Sequence, residues 1–457
     1  MGRSTHALRL QALASRCPLS RSLPYPFSSH LFPYLILRYT ITTTTTPCRP
    51  ITSPPQWTSP LREFPTTGLP LLDPSVDIEE ETLPTYEREE YYPAQQGEVL
   101  HRRYQILAKL GYGVTSTVWL CRDLCDSKYV AIKIYINGQK QNRELDIYNH
   151  ITSVEADHPG KDFIRKLLDH FSIKGPHGDH VCLVHEPLGI SANQLLRNYI
   201  PGRTMTLEEM KPCIRQLLIA VDFLHSVAGI VHTDLQPKNL LLPTTDKTLY
   251  EFEEREIEAP SPRKALTDRT IYKTSVHFPG GDGLPLLCDF GEARFGNVEH
   301  TQDIMPVQYR APEVVMRSKW DYKVDVWSVV MVAWDIVAPR NLFNGKNPDR
   351  IFDDRVHVAE MVALLGPPPA AFRERSKLAS VFWDEHGNWK DLAPIPDISL
   401  ESRAADITGK DKEGFLRWLR AALQWNAEDR PSAVELLFDE WLMEGLHKKE
   451  DPVNLEA

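Results

Sequence analysis

The chain lacks any run of the roughly 18 apolar residues that a membrane-spanning helix requires. The nearest stretch, Leu31 to Leu37, is short and broken by Pro33, so no membrane partner is expected. It lacks a cysteine framework. Cys17, Cys48, Cys121, Cys125, Cys182, Cys213 and Cys288 are scattered and odd in number, which fits reduced thiols better than a disulfide scaffold. Cys121 and Cys125 stand close together, but no second pair or histidine follows at metal-ligand spacing. Positive charge is also in deficit. A formal net charge of −10 argues against direct nucleic-acid binding and fits a basic partner weakly.

The first sixty residues have no Lys and no acid before Glu63, yet they hold Arg3, Arg9, Arg16, Arg21, Arg38 and Arg49. They are rich in Ser, Thr and Pro, including the run Thr42 to Thr46. That composition fits a mitochondrial transit peptide, and equally a plain extended tail. Pro-rich sequence continues to about Pro84. Residues 1–85 are therefore expected to be a disordered or targeting segment with no packed structure.

What is present starts near Tyr86. Hydrophobic content of 42% in 457 residues leaves room for one large two-lobed domain plus tails. Residues 104–109, 117–121 and 129–135 read as strands. From Leu207 to His225 the period becomes helical, with Met210, Ile214, Leu217, Leu218, Val221 and Leu224 on one stripe. Residues 243–284 turn polar and contain Glu251-Phe252-Glu253-Glu254-Arg255-Glu256, so a flexible insertion is expected there. Helical patterning returns after Val314.

Several short motifs lie along this pattern in one order. Leu110-Gly111-Tyr112-Gly113 and Val118 sit between two strands. Glycines there let backbone amides approach phosphates, although a plain hairpin with turn glycines reads the same. Val130-Ala131-Ile132-Lys133 ends a buried strand on a cation that needs a partner, and Glu144 is the nearest candidate carboxylate. His232-Thr233-Asp234-Leu235-Gln236-Pro237-Lys238-Asn239 follows the amphipathic helix, and Asp289-Phe290-Gly291 follows an apolar strand. An Asp and an Asn separated by four residues, with a second Asp on a later turn, is what phosphoryl transfer from a metal–nucleotide complex needs. Ala311-Pro312-Glu313, Asp325-Val326-Trp327 and Arg430 complete the series. Each signal is weak alone, and the ordered set is strong.

Together these residues resemble a eukaryotic protein kinase over about residues 104–445, and more closely the SR-protein kinase family, in its fungal-like members. The closer resemblance rests on Gly111-Tyr112-Gly113-Val114-Thr115-Ser116-Thr117-Val118-Trp119-Leu120, on Thr233 where most kinases carry Arg, and on Gln308-Tyr309-Arg310-Ala311-Pro312-Glu313. It implies an α+β bilobal fold, with a β-rich N-lobe at 104–186 and a helical C-lobe at 187–445. It also implies ATP and Mg²⁺ in the cleft, a monomer, and Arg/Ser-rich protein substrates such as splicing factors. The compartments implied are cytoplasm and nucleus, with mitochondrial targeting by residues 1–60 as the other expectation.

By the same resemblance, Asp234 would act as catalytic base, Asn239 and Asp289 would bind Mg²⁺, and Lys133, paired with Glu144, would hold the α/β-phosphates. Leu110, Gly111, Tyr112, Gly113, Val118 and Ala131 would cover the nucleotide. Glu186 and Leu188 would contact adenine at the hinge, behind an unusual gatekeeper, His185. Glu313 and Arg430 would form a buried ion pair. Asp349, Asp353, Asp354 and Glu360 offer an acidic docking groove for Arg-rich substrates, or simply a solvated acidic face.

Three departures shape the expectation. Thr233 cannot grip an activation-segment phosphate as Arg does, and between Asp289 and Glu313 only Thr301 and Tyr309 carry hydroxyls. Activity independent of loop phosphorylation is expected. Gln236 stands where most Ser/Thr kinases have Lys, and Pro306 stands where they have Thr. A pseudokinase scaffold is the alternative those two positions raise. A small-molecule phosphotransferase is a third, opposed by Ala311-Pro312-Glu313, Asp325-Val326-Trp327 and Arg430.

Overall fold

The computed structural model describes residues 57–138, 141–276 and 280–446. Six antiparallel strands form the N-terminal sheet: β1 (Val99–Leu100), β2 (Tyr104–Gly113), β3 (Ser116–Asp123), β4 (Lys128–Tyr135), β5 (Leu167–Lys174) and β6 (Asp179–His185), in the order β1-β2-β3-β4-β6-β5. Ile106, Trp119, Cys121, Val130, Ile132, Ile134 and Cys182 form the core of this lobe. Between β4 and β5 lies helix α1 (Arg143–Ser153), whose N-cap Asn142 accepts from the Leu145 amide at 3.0 Å. Its buried face is Glu144, Ile147, Tyr148 and Ile151.

After β7 (Leu188–Ser191) the chain turns helical. Helix α2 (Leu207–Asp222) starts at a reciprocal Thr206–Glu209 capping box. The stripe read from the sequence is buried along its whole length, Met210 through Leu224. Burying each such side chain is worth roughly 1.5–3 kcal/mol, so this face anchors the C-lobe. A π-turn at Phe223–Ala228 ends at Gly229, whose φ of 66° only glycine adopts without cost. That stop delivers β8 (Ile230–Val231) and the catalytic loop. Beyond the loop, β9 (Leu240–Pro243) pairs antiparallel with β12 (Leu286–Leu287), which leads into Asp289. The strand pairing is what brings the two sequence-distant halves of the site together.

The segment between β9 and β12 corrects one expectation. Residues 243–284 are not a flexible insertion. They form helix α3 (Asp246–Glu258) and a hairpin of β10 (Arg263–Ala265) and β11 (Thr270–Tyr272); residues 277–279 lie outside the described residues. Leu249 and Phe252 of α3 pack on Leu107, Ala108, Leu120 and Tyr129 of the N-terminal sheet. Tyr272 meets Trp119 edge-on with ring centroids 5.6 Å apart. The polar run that suggested flexibility lies partly inward: Glu253 accepts from Tyr129 Oη at 2.5 Å and faces Arg62 Nε at 3.2 Å.

The expectation of no packed structure up to Pro84 fails too, for residues 57–84. Leu72 donates its amide to Arg263 O at 2.9 Å, and a 3-10 turn at Glu79–Thr82 sits against β2. Lys109, 1% exposed, pairs with Glu80, and Lys264 Nζ stands 2.8 Å from Glu81. A buried Lys is tolerated only with such a partner. Residues 1–56, where the transit-peptide expectation falls, lie outside the described residues.

In the C-lobe, α4 (Lys323–Val337) is buried on nearly every side, packed by α2 and α6 (Lys412–Ala422), while α5 (Asp354–Leu365) packs on the helical turn Pro312–Val315, with Trp327, Trp334 and Trp418 in the core. Arg430 and Glu313 meet in a two-pronged ion pair, both contacts 2.6 Å and both side chains buried.

Candidate active site

Lys133 projects from β4 toward α1 and the turn after β12. Its Nζ lies 2.7 Å from Glu144 Oε2 and 3.0 Å from Asp289 Oδ1. Burial works against its charge, but the Asp289 and Glu144 carboxylates outweigh it and hold the ammonium well above the usual Lys range. The same attraction pulls Asp289 down to about 2, so Asp289 is ionised at any working pH. Glu144 is pinned further: Tyr135 Oη donates to it, and its second oxygen accepts from the Phe290 amide at 3.2 Å. Helix α1 is thereby locked inward against the Asp289 turn.

Asp289 has a φ of 65° and Thr233 one of 66°. Such non-glycine strain persists only where the surroundings enforce it. Asp325, fully buried at the start of α4, accepts from the His232 amide at 2.7 Å and the Thr233 amide at 2.9 Å, and faces His225 Nε2 at 2.9 Å. Thr233 Oγ1 donates to Glu292 O at 2.6 Å. The hydroxyl that replaces the usual Arg thus ties the catalytic loop directly to the segment after Asp289.

Asp234 is held from both sides. Its Oδ1 accepts from Gln236 Nε2 at 2.5 Å, its Oδ2 from Asn239 Nδ2 at 2.8 Å, and Lys238 Nζ stands 3.9 Å from Oδ2. Burial raises its pKa above the ordinary carboxylate value, the direction that favours a base. Asn239 commits its N–H to Asp234, which leaves the amide oxygen as a ligand. With the Asp289 carboxylate it makes an all-oxygen donor pair, the chemistry a hard divalent cation takes.

The nucleotide-facing residues are gathered above this floor. Gly111 pairs with Val118 and Gly113 with Ser116 across the β2–β3 hairpin. An added Cβ at either glycine would meet nothing within 4 Å, so the backbone lies open to a ligand. Tyr112 and Val114 at the tip are exposed, whereas Leu110 turns inward beside α3. Ala131 is buried and opposite His185. Glu186 follows β6, its carbonyl accepting two N–H groups of Arg165 at 2.8 and 3.1 Å, and Leu188 opens β7. His185, fully enclosed, is pushed well below its usual pKa by burial, so its ring is neutral.

The four acids have different surroundings, and Asp349 and Asp354 are exposed. Asp353 caps α5 and is gripped by Arg355 at 2.6 Å, Glu360 is buried with the Asn344 and Gly345 amides on it, and Asp354 lies 4.0 Å from Arg310. Sequence reasoning missed the roles of Tyr135, Asp325 and the Thr233 hydroxyl. Only the burial of Asp325 within an apolar helix carried a signal for any of them.

The protein kinase domain model matches residues 104–442. A serine/threonine protein kinase of Aspergillus fumigatus is 41% identical over 84% of this chain and 96% of its own. The serine/threonine-protein kinase SRPK of Physarum polycephalum is 31% identical over 79% and 91%. The crystal structure of a kinase domain, 24% identical, aligns with a TM-score of 0.60 over 78% of this chain and all of its own, a likeness of fold. The chain belongs to the protein kinase family, as a serine/threonine kinase whose relatives include kinases named SRPK.

Proposed function

We propose that the chain transfers phosphate from Mg-ATP to Ser or Thr of a protein, and does so without phosphorylation of its own activation segment. Asp234 orients the acceptor hydroxyl and takes its proton. Lys133 neutralises nucleotide phosphate oxygens while Glu144 fixes its position. Asn239 and Asp289 would hold the divalent ions, which supply charge neutralisation at the phosphates when bound. The hairpin at Gly111–Gly113 covers the phosphates and excludes water.

One observation carries this reading: Lys133–Glu144–Asp289 and Gln236–Asp234–Asn239 are both assembled, and the Thr233 hydroxyl, rather than a phosphate-gripping Arg, ties the catalytic loop to Glu292 O. Gln236 donates to Asp234, so the residue that raised the pseudokinase alternative supports the base. Tyr309 is buried with its hydroxyl given to Asp335, which leaves Thr301 as the accessible acceptor in the segment. The Arg/Ser substrate class draws its support from the family resemblance and from the printed name of the Physarum relative. Of the four acids expected to dock such substrates, Asp353 and Glu360 are engaged within the fold, whereas Asp349 and Asp354 are exposed. The test is phosphate transfer to a Ser/Thr peptide array by bacterially expressed, phosphatase-treated protein, with Asp234→Ala as control.

A further inference from the structure

The catalytic loop has its cation displaced by two residues. Position 236 is Gln and position 238 is Lys. The Gln236 side chain is spent on Asp234, whereas Lys238 is 56% exposed with Nζ 3.9 Å from Asp234 Oδ2. Asp234 itself is only 15% exposed. The amine therefore sits on the solvent side of the carboxylate that receives the acceptor hydroxyl. That is the side from which a protein substrate arrives. Among the described residues, Asp234 is the only carboxylate within 4.0 Å of this amine. Its remaining partner has to come from solution or from the substrate.

We infer that Lys238 is a specificity-determining residue that selects an anion, acidic or phosphorylated, flanking the acceptor Ser or Thr, and disfavours Arg there. The inference rests on the reading that Asp234 meets a peptide hydroxyl. An exposed ammonium acts over about a Debye length of 10 Å. At about 3.5 Å per extended residue, that reaches roughly three residues on either side of the acceptor. An exposed Lys keeps much of its hydration, so the discrimination is modest, on the order of fivefold to tenfold per charge. Asp353 and Glu360 are held by Arg355 and Arg403, which leaves fewer free acids there to receive an Arg-rich flank.

The test uses matched peptides with Glu, phosphoserine, Ala or Arg scanned through the flanks of one Ser. Phosphate transfer by the full chain is read as kcat/KM. Binding is read separately as fluorescence anisotropy of the same peptides with the acceptor Ser replaced by Ala. The wild type is expected to favour Glu and phosphoserine over Arg in both readouts. Lys238→Arg should keep that order, and Lys238→Glu should invert it, mainly through KM. A wild-type preference for Arg, or an order unchanged in Lys238→Glu, would overturn the inference. Binding that discriminates without phosphate transfer supports it and sinks the kinase reading instead. Transfer with no flank preference does the opposite.

Discussion

Gln236 donates a hydrogen bond to Oδ1 of Asp234 at 2.5 Å, while Asn239 holds Oδ2 from the other side at 2.8 Å. The carboxylate is fixed by two neutral amides, so its orientation does not depend on a neighbouring cation. Replacing Gln236 with Ala frees one oxygen and lets the group rotate. The expected result is a fall in kcat of about tenfold or more with the KM for ATP nearly unchanged, as for an interaction made in the transition state. Steady-state kinetics on the two proteins decides it. A raised KM with intact kcat would mean that Gln236 serves binding.

The N-terminal segment is part of the kinase. A chain cut to begin at residue 85 loses Glu80 and Glu81, and leaves Lys109 and Lys264 buried without those carboxylates. Breaking a buried pair from one side typically costs about 3–5 kcal/mol. The cut protein should unfold at a temperature at least about 5 °C below one beginning at residue 57. Lys109→Met with Lys264→Met should recover part of that loss in the shorter chain only. Equal melting temperatures for the two lengths would contradict the assignment.

Much of this site was legible because phosphoryl transfer needs fixed residue types at fixed spacings. Lys133, Glu144, Asp234, Asn239 and Asp289 converge as read. So did the α2 stripe, because an apolar period survives without tertiary knowledge, while the Glu313–Arg430 pair was expected from the family resemblance alone. Residues 57–84 and 243–284 were misread for one physical reason. Glutamate on the inward face of a helix looks like a solvated residue until the cation opposite it is known. Leu249, Phe252, Glu253 and Glu256 share one face of α3 at helical spacing. Half of that stripe is acidic, so its amphipathic signal is lost. The partners, Arg62 and Tyr129, lie far away in sequence.

Asp335 supplies a pH signature. Burial raises its carboxyl to about 6, against an ordinary 3.8. A raised folded-state value means that the protonated form is favoured by folding. The contribution is complete below pH 3.8 and is lost as pH rises through about 6, about 3 kcal/mol in all. Asp335→Asn keeps an acceptor for Tyr309 and removes the titration. The variant should melt higher than the wild type at pH 7, and the gap should close as pH falls below 5. A gap that does not vary with pH would place the cost elsewhere.

Glu313 and Arg430 join the end of the activation segment to the C-terminal helices through two 2.6 Å contacts. Arg430→Ala leaves a buried carboxylate and should cost about 3–5 kcal/mol. Arg430→Lys should cost less but not be neutral, because an ammonium cannot make the forked contact. Urea unfolding with constant m-values reads both. Wild-type stability in Arg430→Ala would show the pair to be incidental.

Phosphate transfer by this site without prior modification can be measured directly. Protein expressed in bacteria and treated with phosphatase is incubated with labelled ATP and Mg²⁺ over a Ser/Thr peptide array, beside Asp234→Ala. Transfer should be readily measured, unchanged by Thr301→Ala, and reduced at least about a hundredfold in Asp234→Ala. Transfer no greater than that of Asp234→Ala, or transfer that appears only after Thr301 is phosphorylated, would contradict it.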